Sequence, residues 1–346
     1  MQIKDSYCFE DLMLIPKYSE IKSRSEVDLS VQAPKGFKFD SPIVPSNMKT
    51  IMGYELAKEN MLAGNLTILH RFMVLDEQLE LVEKLKQVRT DWSKFLGTSV
   101  GVKPEDFSAV DKFVKAGVNI LTIDIAHGHS LSCIEMCKYI SKTYPHVLLI
   151  AGNVATGEGA KDLWLAGADI VKCGIGGGAN CSTRVVTGNG VPHLSTLMEI
   201  ASMRTSLMHN FFYDETRELA IMNDGGCRAS GDFVKAACFS EFSMCASIFS
   251  GCEEAAGELI EVDGKKYKRH EGSSTHKDSY IEGVKVKVPL KGSFKSILDQ
   301  LKQGLASGAS YQGVRSLLDL QKDPEFVKIS NAGLNESHPH HESYNK

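Results

Sequence analysis

The chain has 346 residues, 42% of them hydrophobic and 24% charged, with a net charge of −4. That length suits one α/β barrel of roughly 250 residues with extensions, and the acidic balance gives no electrostatic case for nucleic acid or an anionic membrane surface. The start of the chain lacks the apolar core of a signal peptide, no apolar run reaches the about 18 residues of a transmembrane helix, and nine scattered cysteines fit a reducing cytoplasm better than a disulfide framework.

Along the chain, short aliphatic runs that end in polar or glycine residues alternate with amphipathic helical segments. The runs are 43–47, 66–70, 97–101, 120–124, 147–151, 169–173, 219–223 and 242–246. Helical windows lie between them at 76–85, 107–116, 130–142 and 157–166. Ala116-Gly117-Val118 and Ala166-Gly167-Ala168 put a glycine where a helix C-cap needs one. Eight strand–helix units predict parallel pairing and a closed (β/α)8 barrel, whose active site is built from the C-terminal ends of the strands. Those ends carry Ser46-Asn-Met48, His70-Arg71, Asp124-Ile-Ala-His-Gly128, Gly152-Asn153, Asp224-Gly-Gly226 and Ala246-Ser247. The barrel domain is expected over 1–330. It includes a polar loop or hairpin at 263–289 over the barrel mouth, and 331–346 follow as a solvated, flexible tail.

The sixth run opens into Gly174-Ile-Gly-Gly-Gly-Ala-Asn-Cys-Ser-Thr-Arg184. Closely spaced glycines let backbone approach a ligand without a Cβ in the way. Cys181, at the end of such a turn and outside any apolar run, is placed like a nucleophile, with Thr183 two residues on. Plainer readings hold elsewhere. Cys133 and Cys137, one helical turn apart, read as core positions, and His127 with His129 lacks a third ligand at a telling spacing. The glycine run lacks the order of a dinucleotide fingerprint. His338–His341 reads as tail.

These pieces, in this order, resemble the IMP dehydrogenase/GMP reductase family. The resemblance rests on Phe9–Pro16, Ser23–Leu29, Ser46–Ile51, Asp124–Ser130, Gly152–Val154, Asp224–Gly226 and Asp263–Tyr267, and it reaches to about residue 320. The reductase side is favoured because 24 residues separate Phe72 from Gly97, too few for the regulatory insertion common in dehydrogenases, and because no Arg-Tyr pair occurs. Val185–Pro192 and Asn331–Pro339 look more like the dehydrogenases.

The resemblance implies reductive deamination of GMP to IMP and ammonia with NADPH, in a homotetramer, with no nucleic-acid or membrane partner. Cys181 would attack purine C2 and Thr183 would handle the proton of the leaving amine. Asp224 would accept from the ribose hydroxyls. Gly225, Gly226, Ala246 and Ser247 would hold the 5′-phosphate on backbone N–H groups, and Ser46 and Met48 would line the substrate site. Asp124, Ala126 and Gly128 would pass the nicotinamide, and the carbonyls of Gly176, Gly178 and Cys181 would hold a potassium ion. The pattern departs at four places. His276 stands where a flap glutamate is expected, Ala246 where a glycine is, and Gly177-Gly178-Ala179 where Pro-Gly-Ser is. His193 replaces a glutamine after Pro192. Two alternatives therefore stay open: oxidation of IMP with NAD, and a purine-nucleotide-binding barrel that has lost turnover.

Overall fold

The computed structural model describes residues 3–210, 218–272 and 284–338. Eight parallel strands form its centre: β1 (Ile43–Pro45), β2 (Thr67–Leu69), β3 (Leu96–Val100), β4 (Ile120–Asp124), β5 (Leu148–Val154), β6 (Ile170–Cys173), β7 (Ala220–Asp224) and β8 (Phe242–Cys245). Hydrogen bonding runs continuously from β2 through β7 to β8 and on to β1. At the remaining seam Asp40 N–H donates to Gly64 O at 2.9 Å and Ser41 Oγ to Asn65 Oδ1 at 2.8 Å. The fold is a (β/α)8 barrel, as the alternation predicts. Buried runs such as Leu148-Leu-Ile-Ala151 mark parallel strands covered on both faces.

Outer helices α1 (Tyr54–Leu62), α2 (Leu75–Leu85), α3 (Pro104–Lys115), α4 (Leu131–Thr143) and α5 (Gly157–Leu165) follow β1 to β5 in turn. The two predicted glycine caps are present. Gly117 and Gly167 take φ of +87° and +109°. In each cap the next residue's N–H reaches back, Val118 to Phe113 O and Ala168 to Leu163 O, both at 3.0 Å. This geometry satisfies helix-end carbonyls that water would otherwise have to reach.

Beyond β6 come a one-turn helix α6 (Thr183–Thr187) and then α7 (His193–Asn210), with α8 (Ser230–Ala237) after β7. The segment after β8 differs from a plain loop. It forms a three-stranded antiparallel sheet of β9 (Leu259–Val262), β10 (Lys265–Glu271) and β11 (Lys285–Pro289), and α9 (Phe294–Tyr311) then closes the last unit. Composition hides the middle strand: β10 reads Lys-Lys-Tyr-Lys-Arg-His-Glu, with no apolar alternation, whereas β11 alternates as Lys-Val-Lys-Val.

At the other end of the barrel an N-terminal hairpin, Val31–Ala33 with Phe37–Phe39, carries Phe39 into the core. There its ring meets Phe95 and Phe242 edge-on at 5.9 and 5.7 Å. Leu12–Leu14 pairs with Phe326–Lys328, so the two ends of the described chain are joined. In the stretch expected to be tail, residues 331–336 form a short helix, α10 (Asn331–Glu336). No helix of the described residues is long and apolar enough to cross a membrane.

Candidate active site

The strand ends bring together an ion-pair cluster that no motif announced. Lys172, on β6, is only 2% exposed. Its Nζ lies 3.0 Å from Asp124 Oδ1 at the end of β4 and 2.5 Å from Asp224 Oδ2 at the end of β7. A charge this deep is stable only when paired, and two carboxylates pair it. Burial alone would push the ammonium down; the two carboxylates outweigh it and leave the lysine raised above its ordinary value. Asn153, at the end of β5, adds a donor: its Nδ2 reaches Asp224 Oδ2 at 2.9 Å and Gly174 O at 2.8 Å. Both aspartates are thus oriented from below while about a fifth of each side chain, 19% and 20%, stays exposed.

Above this floor runs the glycine-rich loop. Cys181 is exposed, and its Sγ lies 3.1 Å from Thr183 Oγ1. Cys181 N–H donates to Gly178 O at 3.0 Å, which closes the turn that presents the thiol. The other cysteines differ sharply. Seven are buried and Cys8 is half-buried. Burial pushes the thiols of Cys238 and Cys252 up to about 12 and raises those of Cys173, Cys227 and Cys245 as well. At neutral pH these buried groups stay protonated and inert. The aliphatic stem of Arg184 packs over Gly176 and Gly190, and its Nη2 donates to Val191 O at 2.6 Å. That contact pins the far side of the loop.

The sheet after β8 contacts this loop and the β1–α1 connection. Val284 N–H donates to Asn180 O at 3.2 Å, next to Cys181. In the β1–α1 connection Thr50 Oγ1 lies 2.9 Å from His270 Nδ1. Glu271 pairs with Lys285 at 3.4 Å. His276 lies outside the described residues.

The remaining predicted positions fall as follows. Gly225 and Gly226 hold φ of +100° and +80°, a conformation that glycine adopts without strain. The N–H of Gly225, however, is donated to Met244 O at 3.0 Å, so it serves the β7–β8 junction rather than a free anion cradle. Ala246 and Ser247 begin the turn after β8, where Ser247 O accepts from Lys291 Nζ at 3.0 Å. Ser46 is buried, and its N–H donates to Cys245 O at 2.9 Å across the β1–β8 edge; Met48 is half-buried. Ala126 is exposed on the β4 rim. Gly128 is buried against Gly152, and its N–H donates to Asn153 O at 2.6 Å.

Among the described residues no cluster of three or more His, Cys, Asp or Glu side chains could hold a metal ion. The set predicted for a cation at 176, 178 and 181 consists instead of neutral backbone carbonyls. That donor chemistry suits a weakly hydrated monovalent ion, although Gly178 O already accepts one hydrogen bond.

The family model described as IMP dehydrogenase / GMP reductase domain matches residues 6–340. The chain belongs to this family. It is 37% identical to the GMP reductase of Staphylococcus epidermidis over 94% of its own length and 97% of the relative's. It is 33% identical to the inosine-5′-monophosphate dehydrogenase of Borreliella burgdorferi over 97% of each chain. A GMP reductase of Ligilactobacillus salivarius matches at 37% over 94% and 97% of the two chains. The family is one of nicotinamide-dependent oxidoreductases acting on purine nucleotides, so the Cys181 loop above Lys172, Asp124 and Asp224 belongs to an oxidoreductase barrel.

Sequence reasoning missed Lys172. Its one signal was a charged residue inside an otherwise apolar strand, Ile170-Val-Lys-Cys173, where burial demands a partner of opposite sign.

Proposed function

We propose that this protein is a GMP reductase, converting GMP to IMP and ammonia with NADPH. The observation that carries the reading is the exposed Cys181 thiol beside Thr183, on the loop above Asp224. The short β2–β3 connection and the absence of an Arg-Tyr pair support the reductase over the dehydrogenase.

In this reading the Cys181 thiolate bonds to purine C2 and ammonia leaves with its proton handled by Thr183. Covalent attachment divides one hard substitution into two easier ones. NADPH supplies the hydride that C2 accepts before the C2–S bond breaks and the thiolate is restored. Asp224, pinned through Oδ2, accepts from the ribose hydroxyls. The Asp124 carboxylate, held by Lys172 and still partly exposed, fits the polar hydrogens of the nicotinamide end. The 5′-phosphate is left to Gly226, Ala246 and Ser247, since Gly225 N–H is engaged. A potassium ion on the carbonyls of Gly176, Gly178 and Cys181 would brace the loop. The same reading includes a homotetramer in the cytoplasm and gives His276 the place of the flap glutamate.

The test is NADPH oxidation with saturating GMP and potassium, with ammonia counted in parallel. Equal amounts of ammonia and IMP support the reading. Turnover of IMP with NAD, and none of GMP with NADPH, moves it to the dehydrogenase. Binding of GMP without either reaction moves it to a nucleotide-binding barrel. Undiminished turnover in His276→Ala removes that histidine from the reaction.

A further inference from the structure

His193 opens α7 as a side chain that the chemistry above leaves unused. It is 4% exposed and lies between the loop that carries Cys181 and the turn that carries Asp224. A methyl group built on Gly177 would sit 1.9 Å from its Cδ2 and Nε2, and one on Gly174 would sit 2.3 Å from its Cε1. Groups built on Gly226 and Gly225 would come within 3.0 and 3.4 Å of the same ring. The imidazole therefore fills the room that side chains at 174 and 177 would need, and it touches both functional turns at once.

Its orientation is fixed from below. Asn223 Nδ2 donates to Gly225 O at 3.0 Å, which leaves Asn223 Oδ1 as the acceptor 3.3 Å from His193 Nδ1. Nδ1 is then the protonated nitrogen. Nε2 carries a lone pair that is buried and has no hydrogen-bond partner. Burial holds the imidazole below its ordinary value, and the Arg184 cation acts the same way. Asp224 and the Asn223 hydrogen bond oppose them without reversing the shift. Gly177 and His193 are two positions where the sequence departs from the pattern that the family resemblance implies, and they lie against each other.

We propose that His193 is a positioning residue whose ring, seated where Gly177 has no side chain, sets the spacing between the Cys181 thiol and the Asp224 carboxylate. The two departures are then one paired exchange. The proposal rests on Cys181 being the nucleophile, but not on which purine nucleotide it attacks.

Gly177 lies outside the left-handed region of φ, so an alanine there meets the imidazole and not backbone strain. The experiment compares the wild-type protein with Gly177→Ala, His193→Ala and the double variant. It reads the rate of Cys181 alkylation by iodoacetamide, kcat and KM for GMP, and the thermal midpoint. Gly177→Ala should slow alkylation and lower kcat/KM about tenfold, whereas the double variant should return to within about threefold of His193→Ala. Losses that multiply in the double variant overturn the proposal.

His193→Gln keeps much of the volume and a donor for Asn223 Oδ1, so it should hold kcat within about threefold of wild type while His193→Ala loses about tenfold at an equal thermal midpoint. Equal kcat in both overturns a positioning role even if Gly177→Ala does not fold. Alkylation is read at Cys181 whether or not GMP is turned over, so failure of the GMP reading leaves this test intact. In the nitrogen NMR spectrum the ring should show one protonated nitrogen, Nδ1; protonation at Nε2 instead would refute the arrangement.

Discussion

Replacing Lys172 by methionine should cost the barrel more than any other single change at its rim. Methionine follows the lysine stem closely, so the packing change is small and the lost charge dominates. The ammonium lies 3.0 and 2.5 Å from its two carboxylates. At an effective dielectric of about 20 those distances correspond to roughly 5.5 and 6.6 kcal/mol of gross attraction. Desolvating the lysine offsets much of this, but in the variant the lysine is gone while two aspartates remain around an apolar thioether. Breaking a buried pair by removing one partner costs about 3–5 kcal/mol, and that is the expected loss. Urea unfolding followed by circular dichroism measures it as a fall in the midpoint at unchanged slope. Nucleotide KM should rise as well, because Asp224 loses one of the two donors that orient it. Adding Asp124→Asn and Asp224→Asn should recover much of the stability but none of the activity, since the unpaired carboxylates cause the loss. A loss below about 1 kcal/mol in Lys172→Met would show that the cluster is solvated and that the argument from burial is wrong.

Three further outcomes follow from the same geometry. Iodoacetamide near pH 8 should label Cys181 first and Cys8 more slowly, leaving Cys173 and Cys245 unmodified in the native protein by peptide mass analysis; early label on either buried cysteine would contradict the burial that raises their thiols. Thr183→Val, which keeps the shape and removes the hydroxyl beside Sγ, should lower kcat about a hundredfold with little change in KM, and an unchanged kcat would remove Thr183 from proton transfer. His70 is buried, with Lys49 nearby, and its imidazole is held down to about 4 against an ordinary 6.5. The unfolded chain therefore takes up a proton that the folded chain refuses, so stability is full above pH 6.5 and falls as pH drops toward 4. The drop approaches about 3 kcal/mol at about 1.4 kcal/mol per pH unit, and His70→Asn should flatten it in urea titrations across that range.

Much of the barrel was legible because parallel strands buried on both faces must be apolar, and because their C-terminal ends must then turn polar to meet a ligand. Runs such as Leu148-Leu-Ile-Ala151 ahead of Gly152-Asn153 carry both signals in a few residues. The helix ends were legible for the same local reason: Gly117 and Gly167 take a conformation that penalises side chains. Three features were not legible. Lys172 sits in a strand, and its partners lie about fifty residues away on either side in sequence. His193 and Gly177 each looked like an isolated departure, because only the fold places the ring against the missing side chain. The middle strand of the flap sheet was hidden because the side chains it buries, Lys268 and His270, are polar, so its inward face carries no apolar signal.

The site is thereby divided into two layers held by different forces. The lower layer, with Lys172, Asp124, Asn153 and Asp224, is fixed by charges and amides buried among barrel strands. Moving any one of them would strand an unpaired polar group. The upper layer holds the Cys181 turn, α6 and the flap edge, and it is joined by single backbone bonds such as Val284 N–H to Asn180 O with little buried apolar surface. Such segments open at a fraction of the global unfolding free energy. A nucleophile that must bond to a substrate ring and then release it belongs on that layer, and the groups that orient the ribose belong on the one beneath. His193 is the side chain that reaches from one to the other, which is why a change of one methyl group at Gly177 should be felt at both.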